Sequence, residues 1–249
     1  MIEFKNTSII FPINTFKNYS LRGSLLKSFV KKFTVGGNIF KRGINIDKKN
    51  NITSVTALNN ISLKIQNGQK VGVYGPNGSG KSTFLKTIAG IYPPVRGEVN
   101  VIGEINNLLN IGFGFNPEVS GEENVRFRLI ISNYKGDIDE KLIEIHEFSG
   151  LRDFFYLPVK IYSSGMVFRL GFSIISQINC DIVLMDEWLS AGDEEFLIKV
   201  NKKLSEIVEQ TKILILASHS KELIRKNCNT LLILKNGEID YLGKMLNDF

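Results

Sequence analysis

The run Gly75-Pro76-Asn77-Gly78-Ser79-Gly80-Lys81-Ser82-Thr83 sets glycines, a lysine and hydroxyls in the spacing of a phosphate-binding loop. Glycines let the backbone curl so that successive N–H groups, those of Asn77 and Ser79 included, point at phosphate oxygens where a helix begins. Lys81 adds positive charge at the β- and γ-phosphates. Ser82 offers its hydroxyl to the Mg²⁺ ion that bridges them, because a small hard cation takes oxygen ligands, and Thr83 faces phosphate beside it. The nucleotide-binding candidates are therefore Gly75, Asn77, Gly78, Ser79, Gly80, Lys81, Ser82 and Thr83, and the ligand is ATP.

Two further stretches could complete such a site. Ile182-Val183-Leu184-Met185-Asp186-Glu187 is an apolar strand ending in two carboxylates, of which the first suits holding Mg²⁺ through water and the second polarising the attacking water. His219 follows the next apolar strand, in Leu216-Ala217-Ser218-His219-Ser220. Between loop and carboxylates, Tyr162-Ser163-Ser164-Gly165-Met166 begins a helix. Serines there are common helix caps, and the same N–H groups and hydroxyl also bind anions.

These residues need a strand before the loop and a helix after it. Val71 to Tyr74 is a short buried-strand pattern, and Ser82 to Ala89 has apolar residues at helical spacing. Ile61-Ser62-Leu63-Lys64-Ile65 alternates, and Asn67-Gly68 is expected to turn it in a hairpin-like entry toward Val71. Glu98 to Ile102 reads as a strand, and Ser120 with Glu123 as a capping box. Helix then continues to about Ile178, and Asp181 to Met185, Ile213 to Ala217 and Leu231 to Leu234 read as central parallel strands. The fold class is α/β, with a helical subdomain at about 119–178.

A chain of 249 residues, 43% hydrophobic and 22% charged, can bury a full core and is not disordered. No apolar run is long enough to span a bilayer, and the start, Met1-Ile2-Glu3-Phe4-Lys5, lacks the layout of a secretory signal, so a cytosolic location is expected. Cys180 and Cys228 lack metal-ligand spacing. The net charge of +6 is compatible with nucleic acid, an anionic membrane or simple lysine richness.

With its order of motifs the chain closely resembles ABC ATPases, and among them the ATP-binding subunits of polysaccharide exporters that move O-antigen, capsule or teichoic acid. That subgroup carries Tyr-Ser-Ser-Gly-Met, seen here at Tyr162 to Met166, with Asp186-Glu187-Trp188-Leu189-Ser190 and Gly192-Asp193. The likeness extends through Gly112-Phe113-Gly114-Phe115-Asn116-Pro117-Glu118 and Ser120-Gly121-Glu122-Glu123-Asn124. It implies a P-loop (RecA-like) core, an antiparallel β subdomain and the inserted helices, all in one domain over 1–249. An N-terminal extension of about 1–56 and no C-terminal carbohydrate-binding domain are expected.

The resemblance also implies roles. Glu187 activates water, and His219 contacts the γ-phosphate and that water. Ser163, Ser164 and Gly165 hold the γ-phosphate of ATP bound by a second copy in a homodimer, and Asp193 links the two sites. Glu118 matches the position of a glutamine that touches magnesium, making Ser82, Asp186 and Glu118 the metal candidates. Phe16 and Tyr19 are candidates for adenine stacking. The partner is an integral membrane permease, the cargo a lipid-linked polysaccharide, and the place the cytoplasmic face of the bacterial inner membrane, with no nucleic acid. A subunit of another ABC transporter, or a soluble ABC ATPase acting on ribosomes or DNA, are the alternatives. Leu21, Leu25, Phe29 and Phe33, with Arg22, Lys27, Lys31 and Lys32, predict an amphipathic helix over 20–33, lying on the membrane surface or packed on the protein's own core.

Overall fold

The computed structural model describes residues 1–12, 43–46, 52–108, 114–178, 180–187, 194–246 and 249. The expected helix 20–33, Phe16, Tyr19, Gly112, Phe113 and the run from Trp188 to Asp193 lie outside the described residues. The chain divides into two compact units, Met1–Gln66 with Val73–Val101 and Thr230–Phe249, and Asn67–Gly72 with Ile102–Asn229.

The first unit holds β1 (Ile2–Pro12), β2 (Ile44–Ile46), β3 (Ile52–Ile65) and, after β4 (Lys70–Tyr74), β5 (Arg96–Val101). They form an antiparallel sheet in the order β2-β3-β1-β5. Residues expected in an N-terminal extension thus supply a central strand, with Phe4 opposite both Leu63 and Val99. The helix α1 (Lys81–Ile88) buries Phe84, Leu85 and Ile88, and the Phe84 ring stacks on Phe4 at 4.9 Å. That apolar contact anchors the helix that opens at the phosphate loop.

β9 (Thr230–Lys235) and β10 (Glu238–Lys244) form a hairpin in which Lys235 faces Glu238. Its two turn residues, Asn236 and Gly237, have φ of +54° and +78°, the pairing that a two-residue type I′ turn demands. Gly237 N–H donates to Ser79 O at 3.0 Å, and Gly237 O accepts from Asn59 N–H at 2.8 Å, so the turn braces the phosphate loop. A Cβ at Gly237 would lie 2.6 Å from Ala57 O. Gly237→Ala should therefore cost about 1–3 kcal/mol, read as a lower denaturant midpoint; an unchanged midpoint would show that the turn relaxes freely.

In the second unit β6 (Ile105–Asn107), β7 (Ile182–Asp186) and β8 (Ile213–Ala217) run parallel, with Ile105 beside Ile182 and Ile182 beside Ile213. The order there is β4-β8-β7-β6. β7 is buried up to Asp186 and β8 throughout, which explains their nearly continuous apolar sequences. The hairpin expected at Asn67-Gly68 does not form, because β3 and β4 belong to different sheets. Gly68 does turn the chain at φ +86°, yet its N–H donates to Lys212 O (2.7 Å) and its O accepts from Asn229 Nδ2 (2.9 Å) instead of pairing back to β3.

The helical region contains α2 (Gly121–Ile131), α3 (Ile138–Ser149), two 3₁₀ turns (Arg152–Tyr156 and Val159–Ile161) and α4 (Ser164–Ile175). Val125, Leu129, Ile145, Phe155, Leu170 and Ile174 form its core. α5 (Glu194–Gln210) buries Phe196, Val200, Leu204 and Val208, one at every fourth position, and α6 (Lys221–Asn227) follows β8. No helix among the described residues is long and apolar enough to cross a membrane.

The capping box forms at the start of α2: Ser120 Oγ accepts from Glu123 N–H, and Glu123 Oε2 accepts from Ser120 N–H at 2.9 Å. That N–H and the Ser120 hydroxyl hold the Glu123 carboxyl below its ordinary value. A lowered carboxylate pKa stabilises the fold above the unfolded value, and the contribution disappears as pH falls through the folded value. Glu123→Ala should thus lower the melting temperature at pH 7, and the gap to wild type should close in acid. A gap independent of pH would assign the loss to packing.

Candidate nucleotide-binding and hydrolysis residues

The phosphate loop belongs to the first unit. β4 leads into it, and Gly80, in the left-handed region at φ +104°, is the N-cap of α1. A Cβ on Gly75 would come within 2.3 Å of Leu234 O and 2.6 Å of Ser79 Oγ, so only glycine lets the loop pass there. Lys81 is buried, and its ammonium donates to Gly75 O at 2.8 Å and Pro76 O at 3.3 Å, closing the loop into an arch.

Three properties of this arch suit an anion. α1 has neither a side-chain cap nor an acidic residue in its first turn, so the positive end of its dipole is not neutralised locally. The Ser79 hydroxyl is buried without a hydrogen-bond partner among the described residues, an arrangement that costs energy unless a ligand oxygen meets it. Asn77, Gly78 and Ser82 are exposed and Thr83 half-buried, leaving that side of the loop accessible. The residues fit a nucleoside triphosphate.

The second unit supplies the carboxylates. β7 ends at Asp186, half-buried, and the exposed Glu187 follows with φ +66°. A non-glycine residue in that conformation carries strain of about 1–3 kcal/mol and persists only where its surroundings hold it. Here Glu187 N–H donates to Ala217 O at 2.8 Å, Oε2 accepts from the Ser218 hydroxyl at 2.8 Å, and Oε1 accepts from His219 N–H at 3.0 Å. Strand pairing of Asp186 with Ala217 sets these contacts up, bringing Glu187 against the backbone of His219. Ser218 was not among the candidates, since a serine before a histidine has no local signature.

The serine-rich helix start is at α4. Ser163 is its N-cap and Oγ accepts from Met166 N–H at 3.2 Å, which uses a lone pair and leaves the O–H able to donate outward. Ser163 and Ser164 are exposed, and α4 has no acidic residue in its first turn. A Cβ on Gly165 would meet nothing closer than Ser163 Oγ at 3.8 Å, so the fold itself does not require this glycine. Tyr162 anchors the start of the segment: its hydroxyl donates to Phe154 O at 2.6 Å, and burial pushes its phenol above the ordinary value.

Glu118 is engaged by Lys160, with Nζ 2.7 Å from Oε2. The loop bearing Glu118 is tied to the stretch ahead of α4, as Lys160 N–H donates to Pro117 O (2.9 Å) and Val159 N–H to Val119 O (3.0 Å). The buried Asn124 pins the same loop, accepting from Asn116 N–H and donating to Asn116 O. As hard oxygen donors, Ser82, Asp186 and Glu118 have the chemistry that Mg²⁺ takes, with Lys160 engaging Glu118 through Oε2.

Comparison with known proteins places these features in a family. A family model described as ABC transporter matches residues 58–190. The chain is 38% identical to the O-antigen export system ATP-binding protein RfbE of Yersinia enterocolitica, over 95% of each chain. It is 38% identical to the O-antigen export system ATP-binding protein RfbB of Myxococcus xanthus, over 76% of this chain and 44% of that protein. To the teichoic acids export ATP-binding protein TagH of Listeria innocua serovar 6a it is 37% identical, over 82% of this chain and 61% of that one. The chain thus spans less than two thirds of RfbB and of TagH. A solved dimer of the ATP-binding cassette MJ0796, bound to ADP and Pi in a post-hydrolysis state, matches at a TM-score of 0.69 and 21% identity, over 99% of this chain and 100% of that one. The chain belongs to the ABC transporter family, and its fold is that of an ABC nucleotide-binding cassette.

Proposed function

We propose that this chain is the ATP-hydrolysing subunit of an ABC exporter that moves a lipid-linked polysaccharide, of the O-antigen, capsular or teichoic-acid kind, across the cytoplasmic membrane. The observation that carries this reading is the similarity to RfbE over 95% of both chains. The subunit would sit peripherally on the cytoplasmic face, against an integral membrane permease and paired with a copy of itself about a two-fold axis.

In this reading the loop from Gly75 to Thr83, Asn77 to Lys81 above all, cradles the triphosphate through backbone N–H groups, with Lys81 neutralising charge at its end. Ser82 and Asp186, with Glu118 as a further candidate, would hold Mg²⁺, which when bound would offset the negative charge on the phosphates. Glu187 orients and deprotonates the attacking water, and His219 contacts the γ-phosphate. Ser163, Ser164 and Gly165 reach the nucleotide of the opposite copy; the room at Gly165 and the outward Ser163 hydroxyl support this. Asp193 couples the two sites. ATP closes the dimer, and hydrolysis reopens it.

The test is to tag the Glu187→Gln variant, purify it from native membranes in ATP and identify what accompanies it by mass spectrometry. A permease together with a lipid-linked glycan is the expected result. Ribosomal or DNA-bound partners would overturn the exporter reading while leaving ATP hydrolysis in place.

A further inference from the structure

We infer that Ser218 is a positioning residue for Glu187, fixing the carboxylate through which water is activated; this rests on the proposed role of Glu187. Ser218 is fully buried at the exit of β8. Ser220 N–H donates to its hydroxyl at 3.0 Å, and that hydroxyl donates to Glu187 Oε2 at 2.8 Å. A serine hydroxyl has one proton and two lone pairs. The Ser220 N–H occupies a lone pair and orients the group, so the proton is delivered to the carboxylate.

Three consecutive residues therefore grip Glu187. Ala217 O takes its N–H, Ser218 holds Oε2 and His219 N–H holds Oε1. The left-handed backbone at Glu187, φ +66°, is a conformation that relaxes unless it is held on several sides. Without the Ser218 hydroxyl the carboxylate keeps a single tether on one oxygen and can rotate about it. The clamp also ties the backbone of His219 to Glu187, so the two move together.

Misplacement of a reacting group by about 1 Å can cost roughly 100-fold in rate, so Ser218→Ala in the full chain should lower kcat for ATP by about 10- to 100-fold. KM for ATP should stay at the wild-type value, because the hydrogen bonds of the Ser218 hydroxyl go to Glu187 and Ser220, while the melting temperature should fall by only a few degrees for the Ser220 N–H left unpaired. Ser218→Thr, which keeps the hydroxyl, should restore turnover. In a Glu187→Gln background, Ser218→Ala should cause no further loss in the single-turnover rate. Unchanged kcat in Ser218→Ala would overturn the inference. A fall in kcat accompanied by unfolding at the assay temperature or lost ATP binding would also overturn it, by assigning Ser218 to folding, as would additive loss in the double variant. If Glu187→Gln itself hydrolyses ATP normally, the role of Glu187 fails; if that variant is inactive while Ser218→Ala is fully active, only the role of Ser218 fails.

Discussion

Glu187→Gln is expected to bind ATP as wild type does, to lose turnover by about 10²- to 10⁴-fold, the range of a positioned acid–base group, and to accumulate as an ATP-bound dimer. The amide matches the carboxylate in size, so the buried strand behind it, Ile182 to Met185, is undisturbed. What changes is its chemistry. An amide cannot take a proton from water, and it offers one acceptor oxygen where the carboxylate offers two. Both Glu187 oxygens accept here, one from the Ser218 hydroxyl and one from His219 N–H; the amide keeps both contacts if its oxygen faces His219 N–H and its NH₂ donates to Ser218 Oγ, whose proton then turns away. The base is lost while the clamp can persist. The hydrogen bonds that close the phosphate loop, from Lys81 to Gly75 O and Pro76 O, do not involve Glu187, and so binding persists. Phosphate release and size-exclusion chromatography in ATP are the measurements. Turnover at the wild-type level would remove Glu187 from the chemistry, and a monomer in ATP would separate closure of the dimer from nucleotide binding.

Features that depend on a few neighbouring residues were legible in the sequence. The capping box of Ser120 and Glu123 and the strand Ile213–Ala217 stand where they were expected, because a cap and a strand covered on both faces leave local marks. Gly75 and Gly80 stood out for the same reason, since a loop that closes on itself excludes side chains. β1 left no such mark. Its alternation breaks at Asn6, φ +46°, and its next two residues, Thr7 and Ser8, are polar and buried. They are tolerated because partners distant in sequence satisfy them: the Thr7 hydroxyl donates to Glu98 O at 2.8 Å, and Ser8 Oγ accepts from Asn60 N–H at 3.0 Å. The turn at Gly68 is legible in Asn67-Gly68, but its destination is set by Lys212 and Asn229, far along the chain. The clamp on Glu187 was hidden likewise. It needs β7 registered against β8 and a left-handed backbone at a glutamate, and neither can be read from residues in order.

Lys81→Met is expected to weaken binding far more than it changes stability. The ammonium donates to two loop carbonyls within a nearly closed site, and at the phosphates it would supply a full positive charge. Hydrogen bonds to a charged group are worth about 1.5–3 kcal/mol each, so losing even one such contact to the triphosphate would weaken ATP binding by about 10- to 100-fold. Folding behaves differently. Removing the ammonium relieves its desolvation cost but leaves Gly75 O and Pro76 O without their donor, so the two effects largely offset. The melting temperature without nucleotide should therefore stay close to that of wild type, while the increase that ATP confers on wild type, which follows from binding to the folded state alone, should vanish. Lys81→Arg separates charge from shape: it keeps the charge, but its planar fork does not fit two carbonyls spaced for an ammonium, so binding should recover only in part. Titration of a fluorescent ATP analogue, alongside melting curves with and without ATP, measures both arms. An ATP-dependent rise that survives in Lys81→Met would place the triphosphate elsewhere, and a collapse of the nucleotide-free fold would make Lys81 a structural keystone of the arch.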